Sequence, residues 1–389
     1  MDKLCEKLRE QVLEQMDFSR EMEESELKEL ITRALAASRE ATEYSLKERV
    51  AMEQRVFNSL RRLDVLQELI DDDEVTEILV NGPNHIFYEK QGVFQEYPYK
   101  FSTEEKLQDV VQQIVGKHNR VVNLTNPIVD TRLEDGSRVN VVLTPVAIDG
   151  SAVSIRKFSK SPLTMDTLVE KGTITQEAAE FLKMLVINRY NLFISGGTGS
   201  GKTTFLNALS FYIPKQERII TIEDSAELRL QEVSNIVRLE TRNANMEGVK
   251  AITARELIHT ALRMRPDRII VGECRGEEAL DMLQAMNTGH EGSLSTGHAN
   301  STADMLSRLE TMVLMGSSLP LPAIRQQIVG GIDIMIHLER DRYGQRRVVE
   351  IAEVLGLREG EIQLNCLFRL EGSLICTNEL KNRSKLKIQ

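Results

Sequence analysis

The sequence predicts an α/β protein. A mostly parallel sheet with helices on both faces follows a small α+β domain and an N-terminal helical segment. Three observations support this fold class. Helical stretches alternate with short apolar runs over the C-terminal half of the chain. The first 60 residues have a helix-forming composition and contain neither glycine nor proline. A glycine-rich motif, finally, stands between a predicted strand and a predicted helix.

Composition narrows the class of protein. The chain has 389 residues, which favours more than one folding unit. Its 59 acidic and 49 basic residues give a net charge of −10, which argues against a nucleic-acid partner. Four cysteines without C-x-x-C spacing offer neither a zinc site nor a disulfide framework, and they fit a reducing cytosol. With no signal peptide and no membrane-spanning apolar run, we expect a cytoplasmic protein.

The N-terminal segment, residues 1–60, carries apolar side chains at spacings near four, among them Leu4, Leu8, Val12 and Met16. This spacing predicts amphipathic helices. Their apolar faces have two possible partners. The helices could dock on a membrane protein, or they could pack on the same chain.

Four further regions follow in order. Strand-like runs and one helix over residues 61–160 predict the α+β domain. Residues 161–172, with Ser161-Pro162, are predicted to form a linker. Residues 173–380 carry the alternating pattern, with a predicted hairpin around Arg342-Tyr343-Gly344. The basic tail, residues 381–389, is expected to be frayed.

The glycine-rich motif satisfies G-x-x-x-x-G-K-S/T with a strand before it and a helix after it, which is the context a phosphate-binding loop requires. Glycines let successive N–H groups turn toward a β-phosphate, and the helix dipole adds favourable charge. Lysine would contact the β- and γ-phosphates, and the threonine hydroxyl would complete a Mg²⁺ shell. The residues predicted to bind the nucleotide are Gly196, Gly197, Thr198, Gly199, Ser200, Gly201, Lys202, Thr203 and Thr204.

Phosphate-loop chemistry also needs a carboxylate at a neighbouring strand end, to hold Mg²⁺ or to polarise water. Two predicted strands end this way. One ends in Glu273, and the other ends in Glu223 and Asp224. A solvated carboxylate is the alternative at either position, but two such strands beside a phosphate loop favour a functional role.

Together, these blocks resemble the type II/type IV secretion-system ATPases, in particular the CpaF-like branch that serves tight-adherence (Tad/Flp) pili. The resemblance spans residues 60–355 and rests on five blocks in the expected order. These are NPIVDTR (126–132) with DGSRVN (135–140), the phosphate loop, TIEDSAEL (221–228), LRMRPD (262–267) with GECRG (272–276), and TGHEGS (288–293) with TGHANS (296–301).

The resemblance implies a RecA-like P-loop NTPase domain that hydrolyses ATP with Mg²⁺. It implies that Glu273 is the general base or orients the water, and that Glu223 and Asp224 support Mg²⁺ and the attacking water. His298 would sense or position the γ-phosphate end, with His290 a weaker candidate.

The resemblance also implies a role for three arginines and implies protein partners. Arg138 and Arg156, with Arg132 as a weaker third, would approach the phosphates when the two domains close, and guanidinium groups spread positive charge over a developing phosphoryl charge. Relatives form hexameric rings on an inner-membrane platform protein. The implied function is a motor for Tad/Flp pilus assembly or for secretion. A conjugation-type secretion ATPase and a RecA-like nucleic-acid motor are the alternatives.

Two positions depart from the family pattern, and a third differs from many other P-loop enzymes. Gly297 precedes His298 where an apolar residue is common, which could loosen that strand end. Cys274 replaces an aliphatic residue and is interpreted as a packing residue. Gly272 stands where many P-loop enzymes have an aspartate, so we expect the metal shell to depend more on water and Thr203.

Overall fold

The computed structural model describes residues 1–17, 20, 22–117, 120–157, 163–230, 233–242 and 250–386. The chain divides into two compact units, Met1–Lys160 and Ser161–Gln389. Across the described residues, no helix combines the length and the apolar character that crossing a membrane requires.

Three helices open the first unit: α1 (Asp2–Gln15), α2 (Glu24–Ala37) and α3 (Leu46–Arg61). A capping box at Ser45 and Glu48 begins α3. The three helices bury a shared apolar cluster that includes Leu8, Ile31 and Phe57. The apolar faces of these helices are therefore covered by packing within the chain, which is one of the two possible partners given above.

The rest of the first unit is an α+β domain. Its elements are α4 (Gln67–Asp71), β1 (Val75–Asn81), β2 (His85–Lys90), β3 (Val93–Glu96), α5 (Glu104–Gly116), β4 (Ile128–Arg132), β5 (Arg138–Val142) and β6 (Ala152–Arg156). The strands form an antiparallel sheet in the order β3-β2-β1-β6-β5-β4. Alternate residues such as Val139 and Val141 are buried in a core that α5 shares, so Arg138 lies on the opposite face of the sheet.

The second unit contains seven helices and nine strands among its described residues. The helices are α6 (Met165–Glu170), α7 (Gln176–Ile187), α8 (Lys202–Ser210), α9 (Ala254–Ala261), α10 (Glu278–Asn287), α11 (Thr302–Gly316) and α12 (Leu321–Gly331). The strands are β7 (Leu192–Gly196), β8 (Ile219–Glu223), β9 (Ile236–Glu240), β10 (Arg268–Val271), β11 (Leu294–His298), β12 (Ile334–Arg340), β13 (Arg346–Arg358), β14 (Glu361–Glu371) and β15 (Ser373–Cys376).

These strands form one sheet in the order β15-β14-β13-β12-β7-β11-β10-β8-β9. The six strands from β12 to β9 are parallel, and β13 to β15 continue antiparallel. Every residue of β7 is buried, as expected for a parallel strand covered on both faces. Ile194 packs with α7 and α8 on one face, and Phe193 packs with α10 and α11 on the other. The predicted α/β class, with helices on both faces, is confirmed.

Two parts of the sequence prediction need correction. The predicted linker, residues 161–172, contains α6, and its Met165 and Leu168 are buried in the core of the second unit. The described part of the basic tail is not frayed, because Lys385 forms a 2.7 Å ion pair with Asp333. Residues 161, 162 and 387–389 lie outside the described part of the chain.

The sequence prediction does not include the strands β14 and β15. Alternation of apolar and polar side chains over residues 361–371 is the signal that was available. The antiparallel extension depends on β13, which continues to Arg358 and pairs with β14. Hydrogen-bonded pairing with β14 therefore determines how far β13 extends.

A buried ion pair anchors the start of β10. Arg268 is fully buried and forms a 2.5 Å ion pair with Glu217, whose side chain is 6% exposed. The guanidinium also donates to the carbonyl oxygens of Val186 and Gly292. A side chain at Gly292 would come within 2.6 Å of this guanidinium. A buried charge of this kind requires its partner, because an unpaired charge in the interior is costly.

We predict that Glu217→Gln lowers the free energy of unfolding by roughly 3–5 kcal/mol, because it leaves the Arg268 guanidinium buried without a carboxylate. Urea unfolding followed by circular dichroism measures the change. Glu379→Gln is the matched control, since Glu379 is 88% exposed where it pairs with Arg383. It should change stability by less than about 0.5 kcal/mol. Equal effects of the two substitutions would contradict the assigned role of the pair.

Candidate nucleotide-binding site

The glycine-rich loop connects β7 to α8 at the carboxyl end of the parallel strands. Gly199 and Gly201 have φ values of 71° and 94°, in the left-handed region that favours glycine. At Gly196, a side chain would collide with the carbonyl oxygen of Leu338 and lie 2.6 Å from the Ser200 hydroxyl. The chain can turn this tightly only with glycine at these positions, and the turn leads directly into the N-terminus of α8.

Lys202, the first residue of α8, is buried, with only 7% of its surface exposed. Its ammonium group donates to the carbonyl oxygens of Gly196 (3.1 Å) and Gly197 (3.0 Å) and contacts Nδ1 of His298 at 3.3 Å. An ammonium has three protons, so these three acceptors satisfy it. Burial lowers the pKa of Lys202, and the nearby Glu273 carboxylate opposes that shift.

His298 connects this lysine to the predicted catalytic carboxylate. Its Nε2 lies 2.7 Å from Oε1 of Glu273. The other oxygen of Glu273 accepts a 2.6 Å hydrogen bond from Arg275, which also lies 3.3 Å from Asp224. Polar contacts therefore join residues at the ends of β7, β8, β10 and β11. The sheet brings together Lys202, His298, Glu273 and Asp224.

The contacts of His298 assign its tautomer. Nδ1 faces the ammonium of Lys202, which can only donate, so Nδ1 must be the unprotonated nitrogen. Nε2 then carries the proton and lies 2.7 Å from Oε1 of Glu273. Burial lowers the pKa of His298, and the positive charges of Lys202, Arg275 and Arg308 lower it further while Glu273 raises it. The geometry and the pKa both describe a neutral imidazole.

Glu223 lies at the end of β8 and is buried. Its Oε1 accepts hydrogen bonds from the backbone N–H groups of Glu227 (2.9 Å) and Leu228 (3.0 Å). A side chain at Gly272 would lie 2.8 Å from Cγ of Glu223. The absence of an aspartate at position 272 thus leaves the space that Glu223 occupies. Glu223 holds the backbone after β8 beside the end of β10.

The fit of this site to Mg²⁺ depends on a hydroxyl. Thr203 lies in the first turn of α8, and its hydroxyl has no hydrogen-bond partner among the described residues. Within those residues, no three His, Cys, Asp or Glu side chains are arranged as a metal site. The available donor set is one hydroxyl with nearby carboxylates. It suits an ion that keeps several waters and takes its other oxygens from a bound phosphate.

The two departures from the family pattern have steric explanations. A side chain at Gly297 would lie 2.9 Å from Sδ of Met305 and 3.0 Å from the ring of Phe193. Glycine therefore tightens packing here, and β11 continues in register with β7 through His298, contrary to the expected loosening. Cys274 is fully buried, and burial raises the pKa of its thiol, as expected for a packing residue. His290 lies outside this line of contacts, with Nδ1 3.3 Å from the carbonyl oxygen of Ala285.

The predicted arginines form a row in the first unit. Arg138 lies directly opposite Arg132 on β4 and directly opposite Arg156 on β6. Residues in opposite register share one face of a sheet, and like charges there repel. Arg156 also lies 3.9 Å from Glu77. The sheet thus gathers three cationic side chains on the face that does not pack on the core.

Arg275 belongs to the site, although the sequence analysis predicts no role for it. It contacts both Glu273 and Asp224, and so connects the ends of two strands. Its position two residues after a strand-ending carboxylate was visible in the sequence. Its second contact requires β10 and β8 to be neighbours, which the sequence did not specify.

Comparison with known proteins identifies the family of this chain. Residues 60–343 match the family model described as "Type II/IV secretion system protein". The chain belongs to this family. Its match includes both the arginine row and the phosphate loop.

Individual relatives share most of the chain. The type IV secretion system protein PtlH of Bordetella pertussis is 34% identical over 316 residues, which cover 74% of this chain and 93% of PtlH. The conjugal transfer protein TrbB of Rhizobium radiobacter is 30% identical, with coverage of 79% and 92%. The crystal structure of the Legionella pneumophila ATPase DotB has a TM-score of 0.55 at 22% identity, covering 76% of this chain and 80% of DotB. This likeness shows a shared fold, and the predicted RecA-like P-loop fold is confirmed.

We predict that His298 makes thermal stability fall as the pH drops below about 6.5. The folded-state pKa is lowered from 6.5, so the unfolded chain binds a proton more readily and gains stability in acid. His298→Asn cannot take up this proton. Its melting temperature should therefore decline less than that of the wild type between pH 7.5 and pH 5.5.

Scanning calorimetry of the full chain measures these temperatures. His85→Asn, which removes a histidine side chain that is 62% exposed, controls for the loss of an imidazole. The buried His337 remains in all three proteins, so its own lowered pKa affects each equally. A His298→Asn profile parallel to that of the wild type would disprove the assignment.

Proposed function

We propose that this chain is an ATP hydrolase that drives movement within a secretion or pilus machine. The observation that carries the proposal is the line of contacts from Lys202 through His298 to Glu273 at the start of α8. These contacts join a cation suited to phosphate with a carboxylate suited to accepting a proton from water.

In the proposed reaction, ATP lies in the glycine-rich loop, at the N-terminus of α8. Lys202 exchanges the loop carbonyl oxygens for β- and γ-phosphate oxygens. Glu273 orients the attacking water and accepts its proton, while His298 holds the carboxylate. The exchange at Lys202 frees Nδ1 of His298, so the histidine responds to the presence of the γ-phosphate.

We assign Mg²⁺ to the Thr203 hydroxyl, together with phosphate oxygens and water. When bound, the ion supplies positive charge that neutralises the transferred phosphoryl group. Glu223 and Asp224 act around this shell through water. Their existing contacts, with the backbone after β8 and with Arg275, keep the carboxylates in place.

Arg138 and Arg156, with Arg132 beside them, supply the second half of the phosphate site in this proposal. Their like charges lie side by side on one sheet face, so a phosphate anion would relieve the repulsion among them. ATP would draw the arginine-bearing unit toward the loop, and release of products would let the two units part. This movement is the proposed source of work.

The machine we propose first is a Tad/Flp-type pilus assembly system, on the strength of the ordered sequence blocks. The chain would act as a homo-hexamer at the cytoplasmic face of the inner membrane, attached through an integral platform protein. A conjugation-type or type IV secretion machine is the second candidate, and the identities with TrbB and PtlH favour it. A nucleic-acid motor is the alternative outside this class, and the net charge of −10 tells against it.

An assay of Mg²⁺-dependent phosphate release tests the chemistry. Glu273→Gln should lower the turnover number about a hundredfold or more while ATP still binds, because Gln accepts no proton. Lys202→Ala should weaken ATP binding itself. Glu277→Gln is the matched control, since it removes an exposed carboxylate on the same segment. It should retain wild-type turnover.

Unchanged turnover in Glu273→Gln would disprove the assigned base. Strong stimulation by single-stranded DNA would instead favour the nucleic-acid motor. Deletion of the gene separates the two secretion candidates, because loss of surface fibres indicates a pilus machine and loss of DNA transfer indicates conjugation.

The arginine row makes a separate prediction. Arg138→Ala and Arg156→Ala should each reduce the turnover number, by up to about 10³-fold if the residue acts as an arginine finger. Arg33→Ala, at an exposed arginine on α2, removes the same charge elsewhere in the first unit and should have no effect. Wild-type turnover in both row variants would exclude the row from the phosphate site.

A further inference from the structure

The turn between β12 and β13, residues 341–345, stands beside the glycine-rich loop. β12 pairs with β7 in parallel, so Leu338 lies opposite Gly196, where the loop begins. The strands then continue past this point and reverse as a hairpin. The hairpin borders the loop on the side of β7 opposite to β11, which carries His298.

Two arginines of this hairpin lie along the last turn of the loop. Arg346 donates a 2.9 Å hydrogen bond from Nε to the carbonyl oxygen of Gly199, and its Cδ would lie 3.1 Å from a side chain at Gly201. Arg340 places Nη1 3.8 Å from the position a side chain would take at Gly199. The Nη groups of Arg346 remain available to a ligand, because Nε makes the contact with the loop.

The register of the hairpin places these arginines directly opposite each other. Like charges in this position destabilise a strand pair. Among the described residues, neither arginine has a carboxylate within ion-pair distance. Asp341, between them in sequence, accepts from the backbone N–H groups of Tyr343 and Gln345 instead. Two exposed guanidinium groups therefore face each other beside a loop shaped for phosphate, without a neutralising anion from the described chain.

We infer that Arg340 and Arg346 bind the non-transferred phosphates of a nucleoside di- or triphosphate held in the loop. This inference rests on the proposed function and adds two binding residues to it. In the proposed function, the γ-phosphate lies near Lys202, His298 and Glu273. His298 is on β11, and the hairpin is on the other side of β7. Contacts from the hairpin are consequently shared by ADP and ATP.

Isothermal titration of the full chain with ADP and with a non-hydrolysable ATP analogue tests this inference. Arg340→Gln and Arg346→Gln should each weaken both ligands about tenfold or more, because a charge-assisted hydrogen bond is lost. The ratio of the two dissociation constants should stay at its wild-type value. Arg342→Ala is the matched control, since this exposed hairpin arginine lies over the ring of Tyr343. Its affinities should stay within about twofold of wild type.

The choice of glutamine separates binding from a structural role. A glutamine amide can donate to the carbonyl oxygen of Gly199 without a positive charge, so Arg346→Gln can keep the loop contact while losing the cation. Wild-type affinity in Arg346→Gln, combined with a loss in Arg346→Ala, would show that the residue only supports the loop, and would overturn the inference. Wild-type affinity in Arg340→Gln and Arg346→Gln alike would also overturn it.

The same titration distinguishes failure of the inference from failure of the proposed function. If the wild-type chain binds neither ADP nor the ATP analogue, the proposed function fails and the inference fails with it. If the wild type binds both and the hairpin variants match Arg342→Ala, only the inference fails. A selective loss of the ATP analogue would place the hairpin at the γ-phosphate end and overturn the assignment to the non-transferred phosphates.

Discussion

The buried ammonium of Lys202 is the constraint on which the site depends. A charge with 7% exposure must find acceptors within the protein, and it finds two loop carbonyl oxygens and one imidazole nitrogen. The first two require the tight turn after β7, and the third requires β11 to lie beside β7. The imidazole in turn faces Glu273 at the end of β10. A single cation thus ties the loop to three neighbouring strands.

Close approaches at glycine make room for buried charged groups at both ends of β10. Gly272 leaves the space that Glu223 fills, and Gly292 leaves the space that the guanidinium of Arg268 fills. Because both charged side chains are buried, each needs a polar partner at a defined position. Glu223 meets backbone N–H groups, and Arg268 meets Glu217. Small residues and buried charges therefore form one arrangement that holds the strand ends in position.

Sheet register places arginines next to one another in both units. It sets Arg138 beside Arg132 and Arg156 in the first unit, and Arg340 opposite Arg346 in the second. Repulsion between like charges makes such positions unfavourable unless an anion or a carboxylate lies nearby. The same electrostatic reasoning motivates the phosphate contacts that we propose for the arginines of both sheets. In each case the backbone of the strands, and not a flexible loop, carries the cationic groups.

The α/β class, the phosphate loop and the strand-ending carboxylates can be predicted from the sequence alone, because they depend on local periodicity and on residues close together in the chain. The contacts between distant residues depend on the tertiary structure. Lys202 and His298 lie 96 positions apart, and Gly199 and Arg346 lie 147 apart. The order of strands in a sheet and their register bring such residues together, and neither leaves a local pattern. The same reason explains why the linker predicted over residues 161–172 contains α6, since the core that buries this helix includes residues far along the chain.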